Sequence, residues 1–342
     1  MKKFDLHRHL EGCHSPRALI AVARKHGVPG FDNDAQVLEA SSMPAGADFA
    51  DPWAVFIEKM DFARSTYVNA NAIRDITALS SQEAALEAPD GFELRFSLFS
   101  VVKRYLKLNG RKITDYSPEA LASDVGRPLM AAIVAGASTV PVARLRFGFS
   151  RALDPAWDHF EAIGLLAREY APQLCGLDIL GKGSGEIPEP LSEKLVSLID
   201  RVRPDVNDLS VHAGEMMGPA SVAAALQMKP NSIGHGIRAL EDPKLVEQLA
   251  KGGTTLEVCI TSNQLLIRDT IAKLTNAAGV HPLAALTSRG VRCILSTDDP
   301  AIFRTNLDVE RSLASDLKLD ISQLENNAES RWAELPVPPW SQ

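Results

Sequence analysis

The sequence predicts an α/β fold, a TIM (β/α)8 barrel with a helical insert after its first β/α unit, and three observations support it. Eight short β-branched or aromatic runs alternate with longer helical stretches, without any fixed repeat period. Several of those stretches open on Pro and close near Gly, the usual asymmetry of a helix bounded by loops. His7, His212, His235, Asp298 and Asp299 all fall at or just after the C-terminal ends of predicted strands, where barrel enzymes build their sites. Two doubly wound halves fit less well, since no glycine fingerprint follows the first strand and no linker divides the chain.

In chain order, strands are expected at Phe4–His7, Phe92–Phe99, Ala143–Phe149, Cys175–Leu180, Leu209–His212, Ser232–His235, Thr255–Ile260 and Arg292–Ser296. The helices between them include Pro16–His26, Pro118–Ala135, Pro155–Tyr170, Leu191–Val202, Pro243–Lys251 and Pro282–Arg289. The stretch 30–91 is too long for an ordinary connection and needs structure of its own. Trp53, Phe56, Ile57 and Met60 recur there at helical spacing, so helices are expected near Pro52–Arg64 and Asn71–Ala88. The pattern fits plain packing against the barrel as well as a substrate-covering lid. Asp308–Glu334 reads as two more outer helices, and Pro336, Pro338, Pro339 and Ser341 suggest a loose tail over 335–342. The whole chain, 1–342, is thus expected to form a single domain.

With 342 residues, 45% of them hydrophobic, the chain can bury a large core. A net charge of −7 predicts no basic stripe for a phosphate backbone, which disfavours nucleic acid and favours a small-molecule partner. Lys2 and Lys3 lead directly into Asp5, His7, Arg8 and His9, so no apolar secretory segment is expected. The longest charge-free stretch, Pro128–Ala143, is short for a membrane span and contains Gly136, Ser138, Thr139 and Pro141; it reads as helix, turn and strand start. Cys13, Cys175, Cys259 and Cys293 are widely spread, three of them in predicted strands, as expected of a reduced, cytoplasmic protein. Oligomeric state leaves no signal.

His7 and His9 point to one side of an extended segment, so both imidazoles can reach one cation. Two ligands hold a metal weakly, and the later strings His212-Ala213-Gly214-Glu215 and Ser296-Thr297-Asp298-Asp299-Pro300 offer more. Glu215 lies at a strand end, unlike the helical HExxH arrangement, and a carboxylate beside a metal-bound water is a proton shuttle. The adjacent Asp298 and Asp299 side chains diverge, so one can ligate while the other faces substrate. Each motif also has a bland reading: solvated surface histidines, a hydrogen-bonded core histidine at His235, an Asp-Asp-Pro turn. Glu93 and Arg95, on one side of the second strand, suggest an internal ion pair, and Cys13 and His14 suggest packing.

The strings HRHLEG (7–12), HAGE (212–215), IGHG (233–236), EVCITSN (257–263) and STDDP (296–300) together resemble, in kind and order, the adenosine deaminase family of amidohydrolase-type barrels. That resemblance runs end to end. It implies one zinc ion per chain held by His7, His9, His212 and Asp298 with a water, Glu215 as proton shuttle, His235 beside the activated water, and Asp299 against purine N7. It places His9, Glu11, Gly181 and Asp299 on the substrate side. The implied reaction is hydrolytic deamination of a 6-aminopurine, adenosine or a close derivative, to the 6-oxopurine and ammonia.

Several residues depart from that pattern. Family enzymes acting on adenosine carry HLDG, whereas Glu11 is one methylene longer and is similar to adenine and aminodeoxyfutalosine deaminases; Thr297 in STDDP is closer to the adenosine and aminodeoxyfutalosine branches. The family's AGDE string becomes the loop 180–186, in which Gly181 is the best match and Lys182 is new, and Ile260 stands where relatives usually carry Pro. Adenine or aminodeoxyfutalosine deamination is therefore an alternative. Two further readings are a binuclear amide or ester hydrolase, with Lys182 the only nearby lysine to bridge two metals, and a silent ligand-binding relative.

Overall fold

The computed structural model describes residues 2–44, 46, 48–151, 156–183 and 189–341. Eight parallel strands follow one another round a barrel in chain order: β1 (Phe4–His9), β2 (Gly91–Phe96), β3 (Ala143–Ser150), β4 (Leu174–Leu180), β5 (Leu209–Ala213), β6 (Ser232–His235), β7 (Thr255–Val258) and β8 (Cys293–Leu295). Each βα step buries the outer face of its strand under a helix, which is the expected (β/α)8 architecture. Between β8 and β1 there is a single bridge, Arg8 to Asp298, where Asp298 N donates to His7 O at 2.8 Å and His9 N to Asp298 O at 2.9 Å.

Local capping moves several strand boundaries. β2 stops at Phe96 rather than Phe99 because Ser97 caps the helix Leu98–Leu108, its hydroxyl accepting from Ser100 N at 3.4 Å. β7 stops at Val258 because Ile260 opens the helix Ile260–Leu266, whose first amides are accepted by the Glu310 carboxylate at 2.8 and 3.3 Å. β1 instead runs two residues beyond His7, so both histidines are on the strand.

The insert forms helices Pro52–Ala63 and Ala70–Glu87 near their expected places, capped by Asp51 and Asn69. An unexpected helix, Asp34–Ser41, precedes them; only Val37 and Ser41 are buried on it, too thin a stripe to be read from periodicity. Helical structure over Pro118–Ala137 includes a π segment at Leu121–Gly126. By length and composition it could cross a bilayer, but half of it is buried inside the protein. The expected helix from Pro155 is seen as Trp157–Glu169, and Pro155 itself lies outside the described residues. All four cysteines are buried and free.

Helices Leu307–Asp316 and Ile321–Glu334 close the shell, with the Trp332 ring between Phe4 and the Arg144 guanidinium, 3.4 Å from the latter. The tail beyond them is docked rather than loose. Leu335 is buried, Trp340 Nε1 donates to Ala143 O at 3.1 Å, and the Ser341 hydroxyl donates to Pro141 O. Prolines cost little here because their neighbours, not a ladder, supply the hydrogen bonds.

Charged side chains occupy much of the barrel axis. Glu93 and Arg95 face it and form the expected internal ion pair at 3.6 Å, but each also has closer partners, since side chains two residues apart on one strand start about 6.6 Å from each other. Arg146 binds Glu93 at 2.5 and 3.0 Å and Asp208 at 2.8 Å; Arg331 also binds Asp208 at 2.6 Å. Arg95 binds Glu257 at 3.0 Å and Asp178 at 3.3 Å, leaving Glu93 at 3.6 Å. Removing one partner from such a buried set leaves uncompensated charge. Arg146→Ala should therefore lower unfolding free energy by about 3–5 kcal/mol in urea titration; a change within about 0.5 kcal/mol would show that the network contributes nothing to stability.

Candidate active site

The C-terminal ends of the strands bring the singled-out residues to one place. β1 supplies His7 and His9, β5 supplies His212, β6 ends in His235, and the segment after β8 supplies Asp298 and Asp299. His9 Nε2 lies 3.2 Å from both His212 Nε2 and Asp298 Oδ1, and His7 Nε2 lies 3.5 Å from the same oxygen. Donors at 2.0–2.1 Å from a tetrahedral centre are separated by roughly 3.3 Å, so these gaps have the size of a zinc-type site. Ligand atoms of His7, His212, His235 and Asp298 fall within 4.8 Å of one another, as do those of His9, Asp298 and Asp299. Asp298 belongs to both groups.

The outer nitrogens explain how the inner ones are aimed. His7 Nδ1 meets Glu257 at 2.8 Å and His212 Nδ1 meets Asp178 at 3.1 Å. A carboxylate only accepts, so each Nδ1 carries the proton and each Nε2 turns its lone pair toward the shared centre. His7 Nε2 is buried with no hydrogen-bond partner among the described residues, which is the state of a donor atom built for a cation.

Backbone strain gathers at this site. His235 and Asp298 have φ of +62° and +65°, and Glu189, also on the cavity wall, has +57°. The turn at Asp298 is held by the seam with β1, and Ser262 Oγ donates to Asp298 Oδ2 at 2.6 Å. Two glycines allow close approach: a Cβ on Gly12 would lie 1.9 Å from Asp299 Oδ1, and one on Gly234 would lie 2.8 Å from the His7 ring.

The carboxyl groups divide into two kinds. Burial pushes Asp178 and Glu257 up, but the His212 imidazole and the Arg95 charge at the first, and the Arg95 charge and the hydrogen bond from His7 at the second, outweigh it and hold both below the usual carboxylate range. Glu215 is pushed well above the usual range by burial and then by the charges of Asp298 and Glu189. Asp299 is pushed up by burial and by Asp298, and both its oxygens are buried without a hydrogen-bond partner among the described residues. Burial lowers His212 to about 4 against the pull of Asp178, and it lowers His235 well below its usual value. His235 Nε2 lies 3.7 Å from Glu215 Oε2, and its Nδ1 lies 3.1 Å from Asn263 Nδ2.

Glu189 is a site residue that no sequence signal marked. Its carboxylate accepts from Gly214 N at 2.9 Å, Glu215 N at 3.0 Å, Met216 N at 2.6 Å and the Ser221 hydroxyl, and so fixes the turn that carries Glu215. It sits in a loop 26 residues upstream, outside any motif or periodic element. Asp178 and Glu257 were equally silent, although Glu257 opens the string EVCITSN.

These groups line a cavity of about 230 Å³. His9, His212, Glu215, His235, Asp298 and Asp299 form its floor, while Trp53, Phe56, Ile57 and Met60 of the insert form an apolar wall, which places the insert over the site. Gly181 and Lys182 line it too, and Arg151 donates to Gly181 O at 3.0 Å and to His212 O. Glu11 is not among the described lining residues: it is buried, and Arg64 Nε donates to it at 3.2 Å, so Arg64 faces the cavity in its place. His14 packs between Tyr67 and Ser80, hydrogen-bonded at 2.8 Å to each.

Comparison with known proteins agrees with this geometry. The sequence profile of the adenosine deaminase family matches residues 2–331. An adenine deaminase of Agrobacterium fabrum is 30% identical over 92% of this chain and 87% of its own length. An adenosine deaminase of Aliivibrio fischeri is 29% identical over 91% and 86%. Among solved structures, the adenine deaminase of Arthrobacter aurescens superposes with a TM-score of 0.70 at 21% identity, covering 96% of this chain and 93% of the other, which supports the fold. The strand ends, the histidine pair and the family match converge on one conclusion: this chain belongs to the adenosine deaminase family.

Proposed function

We propose that this protein is a zinc-dependent hydrolase that deaminates a 6-aminopurine, adenosine or a close derivative, giving the 6-oxopurine and ammonia. The observation that carries this reading is the pairing of two kinds of group in one cavity: a histidine and aspartate cluster of metal-site dimensions, and two buried carboxyls, Glu215 and Asp299, held in the protonated state. Ordinary amide hydrolysis has no use for a second protonated carboxyl set to meet a ring acceptor, whereas a purine presents both N1 and N7.

The residues present fit one divalent ion. His7, His9 and His212 through Nε2, together with Asp298, would hold it, and the ion would supply hydroxide near neutral pH by lowering the pKa of its water to about 7. Glu215, protonated, donates to ring N1 and so draws electrons from C6, where water adds and the amino group leaves. The resulting Glu215 carboxylate takes the proton of the hydroxyl added at C6 and passes it to the amino nitrogen, which leaves as ammonia as the C6–N bond breaks. Neutral His235, 3.7 Å from Glu215, orients the attacking water. Asp299 donates to N7, the Gly181 backbone lies on the N3 side, and the insert wall excludes bulk water.

The direct test is the ultraviolet shift from 6-amino- to 6-oxopurine with adenosine and adenine; no shift with any 6-aminopurine would remove the reading. Glu215→Gln should cut kcat by about 10²–10⁴-fold with bound metal unchanged, and near-normal turnover would take Glu215 out of the mechanism. His212→Ala should lose metal and activity together. If it bound metal at full stoichiometry, His212 would not be a ligand. Because Glu215 acts as an acid, the rate should fall as pH rises through its raised pKa. Glu189→Gln, which deletes a neighbouring negative charge, should move that alkaline limb to lower pH, and an unmoved limb would dissociate Glu189 from Glu215.

A further inference from the structure

We propose that the physiological substrate carries an anionic group, phosphate or carboxylate, on its sugar side, and that a cationic groove adjoining the purine cavity receives it. This rests on the deaminase reading and narrows its substrate. The groove, of about 570 Å³, is lined by Arg64, Lys103, Arg104, Lys107, Arg111 and Lys112, with Asp61 the only acid among its described lining residues. Ile57, Arg64, Ser100 and Ser150 line both spaces, so the two adjoin.

This concentration of charge runs against the composition. The chain carries a net charge of −7, yet residues 103–112 hold five Lys and Arg and no acid, so the expectation of no basic cluster fails locally. Solvation accounts for the exposed Lys107 and Lys112, and Glu11 at 3.2 Å and Asp61 at 3.4 Å pair with Arg64, but neither accounts for the inward Arg104. Arg104 Nε is buried with no hydrogen-bond partner among the described residues, and the Arg64 side chain is only 18% exposed at the junction of the two spaces. Leaving a guanidinium N–H buried and unmatched costs free energy, which an arriving oxyanion would recover through charge-assisted hydrogen bonds.

Glu11 acquires a role in this arrangement. Its longer side chain reaches Arg64 Nε at 3.2 Å and holds that guanidinium at the junction, so it acts on substrate through Arg64 as a positioning residue. The groove shares none of its lining with His9, His212, Glu215 or Asp299, and so lies at the end of the cavity away from the reacting carbon. In the proposed binding mode the amino group sits over the histidines and the sugar faces this groove. Phe99, Leu106 and Ile113 give the groove apolar patches beside its cations, which admit an aromatic carboxylate as well as a phosphate.

The test compares kcat/KM for adenosine, adenosine 5′-monophosphate and adenosine 5′-carboxylate, at low and high salt, in the wild type and in the Lys107→Glu/Arg111→Glu variant. One of the anionic substrates should exceed adenosine by about tenfold or more at low salt, with the preference shrinking as salt screens the open groove. The variant should lower that preference about tenfold, and the better of the two anions identifies the group. Adenosine turned over at least as well as both anions, with a preference that the variant leaves unmoved, would overturn the groove while the deaminase reading stands. If no 6-aminopurine is converted, the deaminase reading fails, and calorimetric titration with adenosine 5′-monophosphate decides the groove: weaker binding by the variant supports it, equal binding overturns it.

Discussion

The site depends on the seam where the barrel closes. Strands β1 and β8 share no regular ladder; the backbone of Asp298 instead sits between His7 O and His9 N. Asp298 adopts a left-handed φ there, which an aspartate tolerates better than most residues and which the two hydrogen bonds hold in place. Closing the barrel and gathering the histidine and aspartate cluster are therefore one event. Its members come from the start, middle and end of the chain, so the cluster exists only when the whole barrel has formed.

Environment assigns different tasks to chemically similar groups. Along the axis, Asp208, Arg331, Arg146 and Glu93 form one charged layer, and Arg95, Asp178 and Glu257 form the next. In the second layer, arginine keeps two carboxylates ionised, and these in turn accept hydrogen bonds from Nδ1–H of His212 and His7. Among the described residues neither Glu215 nor Asp299 pairs with an arginine or lysine, and burial pushes both toward the protonated form. A carboxyl thus becomes an anchor or an acid according to whether a cation faces it. Glu189 shows a third use: its carboxyl oxygens accept from three successive backbone amides and set Glu215 in position.

Much of this was legible before the structure. Polar residues at strand ends, the His7/His9 spacing and the order of the five strings carried the barrel and its site, because a TIM barrel ties chain order to position round the rim. The residues that orient the site were not legible. Glu189 and Asp178 act on the neighbouring β5 segment and Arg95, legible only as an ion-pair residue, reaches across to Glu257; contacts between residues far apart in sequence leave no local periodicity. Glu11 read as a substrate contact because it occupies the family's HLDG aspartate position, while its partner Arg64 is 53 residues away in the insert. The Asp34–Ser41 helix buries too few side chains to show a stripe, and the docked tail depends on Trp340 finding the floor of the barrel. Lys103–Lys112 was visible as a string, but a whole-chain charge balance averages such a local reversal away.

Everything in the proposed chemistry turns on a single ion at the seam. Diffraction data collected from crystals of the purified protein at the zinc absorption edge test this most directly. One anomalous peak is predicted, about 2.0–2.2 Å from the Nε2 atoms of His7, His9 and His212 and from an Asp298 oxygen. No peak, or two peaks bridged through Lys182, would contradict it.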